Sequence, residues 1–309
     1  MHTNLRRTAG ALALVTGGAF GATTLVTGTA YAVDPPLCNG KAATVLGTDA
    51  DDTLTGTAGD DVVFLGKGND KFDGLAGNDT ICGGEGNDTI DGGEGDDWVD
   101  AGLGDDKVVV LAGKDFVYGN EGDDNLTVSV PVADVHGGAG DDIAFVTYLT
   151  STLKMNAGDD TVVFDRTSGE LRGGKGEDAF LVATPKPADG EPTPGLNTAT
   201  TSLLKGGSGV DTFTLAPLST PVRIDVRAGV ATWEGGNSAK LKGFQAYTGG
   251  AGNDTLLGSD RPETIRGKAG DDVVRGRGGN DTLRGGPGTD VVYGGAGKDS
   301  CTGEVKHGC

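Results

Sequence analysis

From residue 47 to residue 181, an apolar residue recurs at every ninth position, most often between polar neighbours and followed by a run of Gly, Asn and Asp. The series reads Leu54, Val63, Phe72, Ile81, Ile90, Val99, Val108, Val117, Leu126, Val135, Ala144, Leu153, Val162, Leu171 and Phe180, without one insertion or deletion. A lone apolar residue with polar flanks fits a three-residue strand whose middle side chain points inward. The six residues between such strands fit a tight turn, in which Gly at the fourth position takes positive φ at no steric cost. Two nine-residue units therefore complete one coil with a strand on each side, and the coils stack into a flattened right-handed solenoid. The fold class predicted is all-β.

Neighbouring units show the template G-G-x-G-x-D-x-U-x, with U a large apolar residue: residues 74–82, 83–91 and 92–100 read GLAGNDTIC, GGEGNDTID and GGEGDDWVD. A first array spans 47–181 after an N-terminal cap at 33–46. The periodicity then stops. Residues 182–205, with Pro185, Pro187, Pro192 and Pro194, read as an exposed linker or loop. Residues 206–248 read as a degenerate solenoid segment, opening with one isolated unit around Asp211 and continuing in longer strands marked by Val222, Ile224 and Val226. A second array spans 249–302, with Leu256, Ile265, Val274, Leu283 and Val292 inward, and residues 303–309 form a C-terminal cap.

Composition adds a compartment and a charge. Residues 1–32 carry Arg6 and Arg7, an apolar acid-free stretch and Ala30-Tyr31-Ala32, the pattern of a cleaved signal peptide on either the general secretory or the twin-arginine route. The expected product is secreted and extracellular. All four cysteines, Cys38, Cys82, Cys301 and Cys309, lie beyond that segment, where an oxidising compartment favours pairing. Of the three possible connectivities, Cys38 with Cys82 and Cys301 with Cys309 would staple one end of the chain each. The chain has 45 acidic and 25 basic residues and a net charge of −20, and loss of Arg6 and Arg7 with the signal leaves −22. Such a charge opposes nucleic acid and anionic membrane as partners.

Asp supplies 36 of the acids and Glu 9, and half of the Asp falls at one place. The sixth position is Asp52, Asp61, Asp70, Asp79, Asp88, Asp97, Asp106, Asp115, Asp124, Asp142, Asp160 and Asp178 in the first array, Asp211 in the isolated unit, and Asp254, Asp272, Asp281, Asp290 and Asp299 in the second. Turns stacked at ~4.8 Å set like charges above one another, a conflict that a hard cation resolves. Ca²⁺ takes six to eight oxygens, which Asp carboxylates and turn carbonyls supply, whereas Mg²⁺ demands a tighter octahedron. The units resemble the RTX, or haemolysin-type, calcium-binding nonapeptide repeats. That resemblance implies a parallel β-roll with calcium-binding turns, here interrupted by a Pro-rich loop, in which Ca²⁺ sits between turns two units apart and is held by the matching Asp residues.

The units at 128, 146 and 164 carry Ala133, Ser151 and Gly169 instead of Asp, and all three fall on one side of the roll. Ion binding is expected along both edges up to about residue 127 and along one edge beyond it. Counting adjacent matching turns gives at most thirteen slots, ten in the first array and three in the second, where Glu263 and Arg261 spoil the unit at 258. Catalysis is not expected: His occurs only at 2, 136 and 307, and neither H-E-x-x-H nor G-x-S-x-G appears. The favoured function is a secreted calcium-binding protein that folds as Ca²⁺ arrives, with any protein or carbohydrate partner left open. The alternative is an extracellular adhesin or matrix protein using the solenoid as a binding surface. It calls for a broad exposed aromatic or Thr-rich array, and none is visible along the chain.

Overall fold

The computed structural model describes residues 35–129, 134–183 and 201–309. The signal-peptide reading of 1–32, the substitution at 133 and the core of the Pro-rich segment lie outside those residues. Two long sheets make up the solenoid, one of thirteen strands and one of sixteen, with successive strands alternating between them through both arrays. Partners are eighteen residues apart and parallel: Val99 lies between Ile81 and Val117 in one sheet, and Ile90 between Phe72 and Val108 in the other. This is the parallel β-roll expected from the nine-residue period.

The inward ladder is buried from Val63 to Phe180, and Leu54 at the first coil packs against it partly buried. A second inward position was not legible as such. The first residue of a unit also points to the core wherever it is not Gly, so that Leu65, Ala101, Val110, Val146, Met155 and Phe164 are buried. Strands such as Val62–Lys67 and Thr152–Ala157 thus bury two inward side chains each. Ala144, the one small member of the ladder, shares its strand with buried Val146 and Leu149.

The two arrays form one continuous stack. Strand Ala179–Val182 and strand Thr201–Ser208 extend into both ends of the stretch expected as a linker. Leu204 then stacks on Leu171 and Phe213 on Phe180, so the isolated unit sits in register on the first array. Residues 223–242 depart from the simple continuation: Arg223–Asp225, Val230–Trp233 and Asn237–Lys242 pair antiparallel as a meander inside the sixteen-stranded sheet. The chain enters this gap beside Thr255–Leu257 and works back to Thr201–Ser208, which reverses the middle strand. Phe244 fills the interior beside it, edge-on to Phe180.

Both disulfides, Cys38–Cys82 and Cys301–Cys309, are formed as expected for end staples. Close stacking of the turns sets the demand for Gly at the fourth position. Gly86 has φ +124°, and a Cβ there would lie 2.0 Å from the Gly68 carbonyl oxygen of the preceding coil. Gly59, at the same template position near the open end, has no positive φ, and a Cβ there would meet only Thr57 Oγ1 at 3.9 Å. Gly86→Ala is expected to lower stability by about 2 kcal/mol or more, whereas Gly59→Ala leaves it nearly unchanged; thermal unfolding in saturating calcium measures both.

Candidate metal centre

Every turn delivers its sixth residue to the same place because the coils are in register. One edge carries Asp52, Asp70, Asp88, Asp106, Asp124, Asp142, Asp160, Asp178 and Asp211 in succession, then Gln245, Glu263, Asp281 and Asp299. The other carries Asp61, Asp79, Asp97 and Asp115, then Ser151 and Gly169, and resumes with Asp254, Asp272 and Asp290. From Asp70 through Asp290 the Asp members are at most 2% exposed.

The two oxygens of each carboxylate have different surroundings. Oδ1 accepts the backbone N–H of the equivalent residue one coil earlier: Asp70 from Asp52 at 2.7 Å, Asp97 from Asp79 at 2.9 Å, Asp272 from Asp254 at 2.8 Å. Asp211 accepts in the same way from Asp178, at 3.1 Å, although 33 residues separate them. Oδ2 is buried without a hydrogen-bond partner in Asp70, Asp79, Asp88, Asp97, Asp106, Asp115, Asp124, Asp142, Asp160, Asp178, Asp211, Asp272, Asp281, Asp290 and Asp299. A buried carboxylate oxygen with nothing to accept is costly, and its repetition in coil after coil is a pattern that a bound cation would satisfy.

The orphaned oxygen shares its space with main-chain carbonyls. A Cβ built on Gly83 would lie 2.6 Å from Asp88 Oδ2 and 2.1 Å from the Ala101 carbonyl oxygen of the next coil, so both oxygens border the room that Gly leaves free. Carboxylate and carbonyl oxygens together are the donor set of a hard cation such as Ca²⁺, and the residues present fit it. Among the described residues no three His, Cys, Asp or Glu side chains converge on one point, in keeping with donors drawn largely from the main chain.

Three predicted ligands differ from the rest. Asp52 Oδ2 accepts from Thr48 N–H and Oγ1–H at 2.6 and 2.8 Å, Asp61 Oδ2 from Thr57 N–H and Oγ1–H at 2.6 and 3.0 Å, and Asp254 Oδ2 from Gly250 N–H at 2.6 Å. Each begins a run of Asp and is satisfied by its own turn. Glu263 also joins the ladder, giving its backbone N–H to Asp281 Oδ1 at 2.9 Å, while its carboxylate is taken up by Ser259. Gln245 replaces Asp with a neutral amide whose oxygen accepts from Asp211 N–H at 2.7 Å.

The fifth position holds a second ladder that the template had absorbed into the turn. Asp51 Oδ1 accepts from Asn69 N–H, Asn69 Oδ1 from Asn87 N–H and Asn87 Oδ1 from Asp105 N–H, at 2.8 to 3.1 Å, all exposed. It runs opposite to the sixth-position ladder, and Asn serves as well as Asp because only an acceptor oxygen is needed. A cleft of about 740 Å³ near the meander has its acids already engaged, Asp260 by Arg227 and Glu263 by Ser259.

Without a cation the stacked carboxylates resist ionisation. Burial pushes Asp97, Asp106, Asp142 and Asp272 up to about 7 and Asp160 to about 8. The accepted backbone hydrogen bond opposes this shift, and carboxylates of adjacent coils add to it. These groups bind protons more tightly when folded, so their contribution to stability is complete below the unfolded value near ~3.9. It is lost as pH rises through the folded values. In EDTA the β-structure is therefore expected to be greatest in mild acid and to fall between about pH 4 and pH 8, followed by far-ultraviolet circular dichroism.

A family model described as the RTX calcium-binding nonapeptide repeat, in four copies, matches residues 46–81, 74–108, 102–128, 247–260, 257–292 and 266–301. No curated protein matches the chain. The matched residues are the first array up to residue 128 and nearly all of the second, and their turns hold most of the orphaned carboxylate oxygens. These two stretches carry RTX calcium-binding nonapeptide repeats.

Proposed function

We propose that the protein is a secreted, non-catalytic calcium-binding protein whose sixth-position Asp residues hold multiple Ca²⁺ and whose β-roll is completed by them. The observation that carries this reading is the row of buried Oδ2 atoms with no hydrogen-bond partner, repeated along both edges. Bound calcium would supply positive charge and a coordination shell for oxygens that the protein leaves unsatisfied. The leader-like residues 1–32 and the two disulfides support an oxidising, extracellular location.

The Oδ1 ladder supports one slot more than the thirteen counted along the chain, because Asp178 and Asp211 are consecutive in the stack. Gln245 marks a break beyond it, and Asp281 and Asp299 resume the edge. The alternative of an adhesin or matrix protein is favoured by one observation, a column of cations on the outer face of the sixteen-stranded sheet, taken up below.

Circular dichroism with EDTA, Ca²⁺ and Mg²⁺ tests the main reading, with β-structure gained on Ca²⁺ alone; a spectrum indifferent to calcium would refute it. Calorimetric titration is expected to report more than five ions and no more than about fourteen, the count of stacked Asp pairs. Asp106→Asn removes the orphaned oxygen and is expected to lower both the ion count and the stability. Asp105→Asn, in the ladder where Asn already serves, is expected to leave both near wild type.

A further inference from the structure

On the outer face of the sixteen-stranded sheet, the ninth position of successive units forms a column. Strand register aligns Tyr118, His136, Lys154, Arg172, Lys205 and Lys242 one above another. The last four are consecutive cations in a chain of net charge −20. Like charges directly opposite one another in a sheet are destabilising, so this column has a cost that must be offset. Within the face the offset is partial. Asp134 Oδ2 meets His136 at 3.0 Å and Lys154 at 3.3 Å, and Glu170 pairs with Arg172 at 2.8 Å and with Lys205. Lys240 and Lys242, both exposed, have no ion-pair partner among the described residues. The side chains of Lys154, Arg172 and Lys205 remain 32%, 45% and 33% exposed.

Two further features lie on the same coils. On one edge the sixth-position Asp is missing beside Lys154 and Arg172, at Ser151 and Gly169, while Asp160 and Asp178 continue along the other. The altered turns open a groove of about 430 Å³ lined by Thr150, Ser151, Ser168, Ser202, Glu170 and Lys240, rich in hydroxyl groups, and Ser151 Oγ is buried in it without a partner. The family match also omits residues 129–246, which contain this surface.

We infer that this face binds a linear acidic polysaccharide, with carboxylates along the column Lys154–Arg172–Lys205–Lys242 and sugar hydroxyls in the adjoining groove. The column is one side chain wide, and its neighbour bears Asp134 and Glu170, so a broad, uniformly charged duplex meets repulsion that a single thin chain avoids. Hydroxyl-lined space beside spaced cations suits uronate sugars, which present both groups. The inference deepens the adhesin-or-matrix reading and does not depend on how many ions bind.

The test uses the full chain in saturating calcium, folded by circular dichroism, titrated calorimetrically with a hyaluronan decasaccharide. Saturable binding that weakens steeply with added salt is expected. Arg172→Gln/Lys205→Gln should weaken it about tenfold, the scale of charge-assisted contacts, with the spectrum unchanged. Lys67→Gln/Lys107→Gln, on coils with calcium edges, should bind as wild type. No binding by the folded wild type, equal loss in both double variants, or retention of full affinity in Arg172→Gln/Lys205→Gln, as calcium bridging would give, overturns the inference. So does equal competition by a neutral dextran, or tighter binding of single-stranded DNA. A chain that fails to respond to calcium fails the ion-binding reading at the spectroscopic step, before glycan is added.

Discussion

The burial of carboxylates one coil apart, with the repulsion between them, is the constraint on which the solenoid depends. At ~4.8 Å and an effective dielectric constant near ~20, two like charges repel by about 3.5 kcal/mol. A buried Val, Leu or Ile contributes about 1.5–3 kcal/mol. Each coil adds two inward ladder positions and, over much of the length, two sixth-position Asp residues. The charged turns therefore oppose the core on nearly equal terms. One carboxylate oxygen is spent on the backbone ladder, and the other is stranded among carbonyls. A protein could relieve this with neutral side chains, as Gln245 does at one coil. Retaining Asp elsewhere leaves a buried oxygen that a cation or a proton would satisfy.

Much of this was legible because a nine-residue period fixes the side of each residue without tertiary information. The inward ladder from Val63 to Phe180, the succession of Asp on two edges, and the end-stapling cysteine pairs all follow from register and from which end each Cys occupies. What escaped was whatever the period does not encode. Asp178 and Asp211 become neighbours across an interruption whose length breaks the register in sequence but not in space. Asp52, Asp61 and Asp254 match the template and differ only in where their second oxygen turns, which depends on Thr48, Thr57 and the Gly250 amide. The fifth-position ladder was hidden because Asn and Asp are equally ordinary turn residues. Antiparallel pairing at 223–242 leaves no trace in alternation, since alternating side chains look the same in either strand direction.

Surface residues become readable only after the coil is closed. Trp98, Tyr118 and His136 are far apart along the chain, yet Trp98 and Tyr118 lie 5.9 Å apart and Tyr118 stacks on His136 at 5.1 Å. These three half-buried rings lead into the cation column without forming a broad exposed array. The thirteen-stranded face likewise aligns Thr53, Thr89, Thr161 and Thr212 from separate units in one column, with Lys71, Lys107, Asn125, Ile143 and Ala179 between them. Position seven and position nine carry no core duty, so each face is free to vary by coil while the interior stays fixed.

An in-register parallel stack has no length of its own: the last strand at either end offers the same unpaired backbone groups that joined every earlier coil. At one end, the antiparallel pair Leu37–Cys38 and Lys41–Ala42 is tied to strand Thr80–Glu85 through Cys38–Cys82. At the other, Cys301 on the terminal strand of the thirteen-stranded sheet is tied to Cys309. The first staple clamps the N-terminal pair onto the third strand of the sixteen-stranded sheet, and the second folds the C-terminal residues back onto the last coil.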